Sequence, residues 1–103
     1  MEGDDYAITR SSEADHDLVS IWLYGADEWS PEQADRHLFE IESAFDRLLD
    51  NPELGRPRDE LIAGMRSNFV DPHVVFYRIV RSNVEIVRVL HQLEDVVSAF
   101  RAT

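Results

Sequence analysis

The chain has 103 residues, 44% hydrophobic and 10% aromatic, enough for one hydrophobic core and too apolar for a disordered tail. It has no cysteine, which excludes disulfides, thiolate metal sites and a cysteine nucleophile. A net charge of -11 argues against binding nucleic acid through the whole surface, and all ten basic residues are arginine.

The charge is uneven. Residues 1–53 hold 15 Asp and Glu against three Arg, while residues 54–103 hold six against seven. Two surfaces with different tasks would produce this split, and so would a well-solvated acidic helical layer. The acidic start, Met1-Glu2-Gly3-Asp4-Asp5, lacks an apolar signal segment. No apolar run approaches the ~20 residues that span a bilayer. The expectation is a cytoplasmic protein that does not engage a membrane.

In chain order, Tyr6-Ala7-Ile8-Thr9 alternates apolar and polar residues and reads as a short edge or N-terminal strand. Ser12 followed by Asp15 has capping-box spacing, so a helix is expected to begin there, with Leu18, Ile21, Trp22 and Gly25 on one stripe. Ser30-Pro31-Glu32-Gln33 is a stronger start signal, with a capping hydroxyl and a proline suited to the first helical position. The second helix should run to about Asp50, with Ala34, Leu38, Ile41, Phe45 and Leu48 on one face. Its short link to the first predicts an antiparallel helical hairpin.

Asn51-Pro52 stops that helix, because a residue preceding proline is pushed out of the α region. Residues 51–62, with two Pro and one Gly, predict a shaped loop. Residues 64–70 read as a strand and Asp71-Pro72 as a tight turn. Two dense β-forming runs follow, His73-Val74-Val75-Phe76-Tyr77-Arg78 and Glu85-Ile86-Val87-Arg88-Val89-Leu90-His91, around the break Arg81-Ser82-Asn83. Connections this short require an antiparallel meander. The tail from Gln92 is weakly helical and suited to covering a sheet edge or a helix. The order is β-α-α-β-β-β, an α+β domain with a helical hairpin on a small, mostly antiparallel sheet. One domain spans residues 1–103, with a core over 6–92 and a tail over 93–103.

The chemistry-bearing residues are few. His16, His37, His73 and His91 are scattered and no metal-ligand spacing occurs, so neither metal nor cofactor is expected. The acidic residues of the helices read as a solvated face. Arg66, Tyr77, Arg78 and His91, with Arg88, form a set that could cleave RNA, with arginine neutralising phosphate and Tyr or His moving protons. Simple alternation disperses them: Arg88 falls with Val84, Ile86 and Leu90, and His91 with Glu85, Val87 and Val89. The plainer reading pairs Arg78 and Arg88 with acids of the helical layer and leaves Tyr77 as core with its hydroxyl at the rim. Trp22 reads as core, whereas Trp29, at the interhelical turn, either staples the hairpin or docks a partner.

Several strings resemble the ParE branch of the RelE/ParE toxin superfamily. They are Ala14-Asp15-x-Asp17-Leu18-x-x-Ile21-Trp22-x-Tyr24, Trp29-Ser30-Pro31-Glu32-Gln33-Ala34, Asn51-Pro52-x-Leu54-Gly55 and Gly64-Met65-Arg66, then both β-forming runs through Gln92. The resemblance covers about residues 6–95 and implies the same β-α-α-β-β-β fold. It implies a non-enzymatic toxin of a type II toxin–antitoxin pair that binds DNA gyrase, without itself binding DNA, and is silenced by a ParD-like antitoxin. The RelE-like alternative, ribosome-dependent mRNA cleavage by Arg66, Tyr77, Arg78 and His91, is weakened because lysine is absent and no tyrosine follows Tyr77. An inactive relative that only binds antitoxin is a third possibility. After Gln92 the family commonly continues Met-Asp, where this chain has Leu93-Glu94-Asp95. An antitoxin segment that folds on binding would need an apolar groove along the hairpin and sheet edge. Leu18, Trp22 and Leu38 are expected in or beneath that groove, with Arg58, Arg66 and Arg78 meeting acidic antitoxin residues.

Overall fold

In the computed structural model, which describes residues 7–101, strand β1 (Ala7–Arg10) leads into helices α1 (Ser12–Glu28) and α2 (Pro31–Asp50). Strands β2 (Arg56–Pro57), β3 (Met65–Val70), β4 (His73–Val80) and β5 (Asn83–His91) follow, and helix α3 (Val96–Arg101) closes the chain. The expected order holds, and β2 is an addition inside the shaped loop. Tyr6, expected in the first strand, lies outside the described residues.

Local chemistry sets the helix ends. Ser11, rather than Ser12, caps α1: its hydroxyl accepts from the Ala14 amide at 2.9 Å and donates to the Val87 carbonyl at 2.7 Å. One side chain thus starts the helix and stitches it to β5. Ser30 caps α2 by accepting from the Gln33 amide, with Pro31 in the first turn. The hairpin closes tightly because α1 turns Gly25 toward α2, where an added Cβ would stand 3.4 Å from the Ala34 methyl.

The strands form one sheet, ordered β1-β5-β4-β3-β2, with β1 parallel to β5 and the other pairings antiparallel. On the helix-facing side, Leu18, Ile41, Phe45 and Leu48 pack on Val75, Tyr77, Val84, Ile86 and Val89. Met65, Phe76 and Leu90 lie on the other side, covered by Leu61 and by Val96, Ala99 and Phe100 of α3. Burial of that size is the main stabilising term for the fold.

The expected alternation along β5 breaks at a bulge. Tyr77 pairs with Ile86, but Phe76 pairs with Arg88, which leaves Val87 as the extra residue. The bulge reverses the parity beyond it. Val89 therefore joins Ile86 against the helices, and Leu90 goes to the opposite side. The expected grouping of Leu90 with Ile86 is corrected for this reason.

Candidate functional site

A groove of about 490 Å³ runs along the hairpin, and Leu18, Trp22 and Leu38 all line it, as do Val19 and Leu23. Leu18 is buried, but Val19 and Leu23 are 58% and 57% exposed, so the groove presents apolar surface to solvent. The Trp22 indole N–H donates to Asp35 at 2.7 Å, which fixes its ring across the two helices. Arg10 and Glu42, 3.5 Å apart, stand at its polar border. The sheet edge offers a second element: β2 pairs only with Arg66 and Ser67, so residues 68–70 of β3 extend past it. Phe69 is 56% exposed there, and Phe39 of α2, 70% exposed, borders a recess with Val70.

The three arginines expected to meet a partner already have partners of their own. Arg58 pairs with Glu60 at 2.6 Å and lies over the Phe76 ring, while Arg78 pairs with Glu85 at 2.7 Å. Arg66 donates to the carbonyls of Glu53 and Gly55. The plainer reading of Arg78 is corrected in one respect, because its acid sits on the neighbouring strand and not in the helical layer. Arg88 does reach that layer: it grips Asp17 through two nitrogens at 2.8 and 2.9 Å, and Asp17 also accepts from the Val89 amide. Asp17, with its side chain 11% exposed, is thus no part of a solvated face. Hydrogen bonding to Asp17 raises the pKa of Arg88 further.

Tyr77 is fully buried instead of reaching the rim. Its hydroxyl donates to the Pro52 carbonyl at 2.7 Å and accepts from the Gly55 amide at 2.8 Å. Burial, opposed by the Gly55 bond, raises its pKa and keeps the phenol neutral. Gly55 has no alternative residue here, since a Cβ would lie 2.6 Å from that hydroxyl and 2.7 Å from the Ser67 carbonyl. The set that could have cleaved RNA does not assemble. Arg66 and Tyr77 hold the 51–55 loop on the helix-facing side, Arg78 lies across from Met65 on the other side, and His91 ends the ladder opposite His73.

What the chain order conceals is a cluster of histidines. His37 of α2 and His73 of β4 approach to 2.8 Å between Nε2 and Nδ1, and the His73 and His91 rings meet edge-on at 5.4 Å. The bulge brings His91 into the cluster: the register from the β4–β5 turn, continued without it, would set Leu90 opposite His73. Burial first, then His37 and His91, lowers the pKa of His73 to about 4. The cluster floors a cleft of about 770 Å³ walled by Ile21, Tyr24, Gly25 and Trp29. Trp29, 67% exposed and edge-on to Tyr24, both closes the hairpin and lines this cleft. Among the described residues, no group of three or more His, Asp and Glu is arranged to hold a metal ion, and no helix is long and apolar enough to cross a membrane.

Fold and surface together define a class: a small α+β domain whose helical hairpin, laid on one sheet face, carries apolar recesses. The chain belongs to the ParE toxin family, whose model, described as "ParE toxin of type II toxin-antitoxin system, parDE", matches residues 8–96. Toxin ParE1 of Caulobacter vibrioides is 40% identical over 87 residues, covering 84% of this chain and 88% of that one. Toxin ParE1 of Mycobacterium tuberculosis is 39% identical over 92 residues, covering 88% and 92%. Among solved structures, the chromosomal ParDE system of P. aeruginosa shares the fold at a TM-score of 0.76 and 19% identity, over 85% of this chain and 97% of that one. The RelBE2 toxin–antitoxin complex of M. tuberculosis aligns at 0.59 and 26% identity, over 84% and 98%.

Proposed function

We propose that this ParE-family toxin acts by binding DNA gyrase and not by catalysis, and that a ParD-like antitoxin neutralises it by covering the helical hairpin. The observation that carries this reading is the solvent-facing apolar groove of Leu18, Val19, Trp22, Leu23 and Leu38. A disordered antitoxin tail folding there as an amphipathic helix would bury that surface. The outer edge of β3 beside Phe69, past the end of β2, could accept an added strand from the same tail. Arg58, Arg66 and Arg78 would meet its acidic side chains only by exchanging or sharing their present partners. Function in the cytoplasm follows from a gyrase target.

Alanine at Trp22 or Leu38 should weaken antitoxin binding by roughly ten- to a hundredfold, since an aromatic or aliphatic anchor in a groove typically contributes over ~1 kcal/mol. Unchanged affinity across Leu18, Trp22, Leu38, Arg58, Arg66 and Arg78 would remove the assignment. A supercoiling assay with purified gyrase, run beside an mRNA-cleavage assay, tests the activity. Inhibited supercoiling with intact mRNA is the expected result. Cut mRNA would favour the ribonuclease alternative, and silence in both assays a relative that only binds antitoxin.

A further inference from the structure

The cleft beside the hairpin holds chemistry that the apolar groove lacks. Three imidazoles, Arg36 and one carboxylate, Glu40, line it in a chain whose net charge is -11. Because His37 Nε2 and His73 Nδ1 lie 2.8 Å apart, one proton bridges them and the two rings cannot both be charged while the contact lasts. His91 Nδ1 accepts from the Leu93 amide, so neutral His91 carries its proton on Nε2. The acids nearby are already engaged: Glu40 lies 3.4 Å from His37 Nδ1, and Glu94 accepts from the His91 amide. Asp71 lies in the turn before His73 and lines the recess beside Phe39, not this cleft. Helix α1 supplies only Ser20, Ile21, Tyr24 and Gly25.

An added proton is accommodated without the loss of a bond. On His37, it lets Nδ1–H donate to Glu40 and Nε2–H donate to His73 Nδ1. His73 then keeps its own proton on Nε2, as His91 does, and the chain ends in two N–H donors beside an apolar wall. Burial already keeps His73 as the neutral member. Such a floor suits an anionic group arriving with apolar neighbours.

We propose that the cleft receives an apolar segment of the antitoxin bearing a carboxylate, and that seating this segment loads a proton onto the His37–His73–His91 chain. This rests on the antitoxin reading above and adds to it the chemistry of the docked segment and a dependence on pH. Uptake of one proton tightens binding by up to about tenfold per pH unit, so Kd at pH 6.5 should be roughly tenfold below that at pH 8.

The test is calorimetric titration of the full chain with its full-length cognate antitoxin at pH 7, in phosphate and in Tris, whose ionisation heats differ. The buffer dependence of the heat counts the protons. An uptake of about half to one proton is expected, falling to near zero in His37→Gln. His91→Leu, which lacks one of the two donors, should bind more weakly while remaining folded by circular dichroism. Should His37→Gln fail to fold, replacing the antitoxin's acidic residues one at a time by their amides must locate one whose loss abolishes the uptake. Tight binding without proton uptake, or uptake that persists in both histidine variants, overturns the proposal while leaving the antitoxin reading intact. Absence of any binding overturns both.

Discussion

Replacing Tyr77 by Phe removes one oxygen and leaves two backbone groups without their partner. The Tyr77 hydroxyl donates to the Pro52 carbonyl at 2.7 Å and accepts from the Gly55 amide at 2.8 Å. Gly55 is buried, so its amide has no ready water, and each orphaned group costs about 1–2 kcal/mol. The expected loss is therefore ~2–4 kcal/mol, or roughly 10–20 °C in Tm for a domain of this size. Urea unfolding followed by tryptophan fluorescence measures it, with an unchanged slope expected because the ring still fills the core. Gly55→Ala should cost at least as much, since its Cβ would also meet the Ser67 carbonyl at 2.7 Å. The double variant should be more stable than the sum of the two losses predicts, because removing the hydroxyl relieves part of the clash. A loss below about 0.5 kcal/mol for Tyr77→Phe would show that the hydroxyl does not hold the 51–55 loop.

Asp17→Ala should destabilise by about 2–4 kcal/mol in urea unfolding, because it strands the largely buried Arg88 guanidinium and the Val89 amide together. Arg81 holds a φ of 59° in the β4–β5 turn, so Arg81→Gly should raise the unfolding free energy measured in urea by about 0.5–1 kcal/mol. His73 has its pKa lowered from 6.5 to about 4 by burial and by its two neighbours, so unfolding releases a ring that takes a proton at higher pH than the folded one does. Its contribution is complete above pH 6.5 and lost as the pH falls toward 4, amounting to at most ~3 kcal/mol. Stability profiles of the wild type and His73→Gln should converge across that interval.

The helical hairpin was legible because its signals are local. Ser30-Pro31 and the stripe Leu38, Ile41, Phe45 and Leu48 need only a few residues of context, and they gave α2 to within a residue. Helical periodicity places Leu18, Trp22 and Leu38 on the apolar stripes of the hairpin, and all three line the groove. Capping-box spacing points to Ser12, which Asp15 follows three residues later, and not to Ser11. What decides between them is the Val87 carbonyl, 76 residues away, which fixes Ser11 from outside the helix. The two residues of β2 carry no periodicity, and a proline within them hides the pairing with β3.

That His91 meets His73 is hidden from simple alternation by a single residue. Alternation assumes one partner per position, and the extra residue Val87 breaks that assumption midway along β5. Before the bulge, side chains follow the parity expected from sequence. After it, Leu90 moves to the outer layer and His91 comes opposite His73, under His37. The same irregularity places the Val87 carbonyl where Ser11 reaches it and the Val89 amide where Asp17 does. The bulge therefore joins the capping of α1, the Asp17–Arg88 pair and the cleft floor in one local distortion. Removing Val87 would be expected to disturb all three together, which neither helix capping nor strand alternation taken alone anticipates.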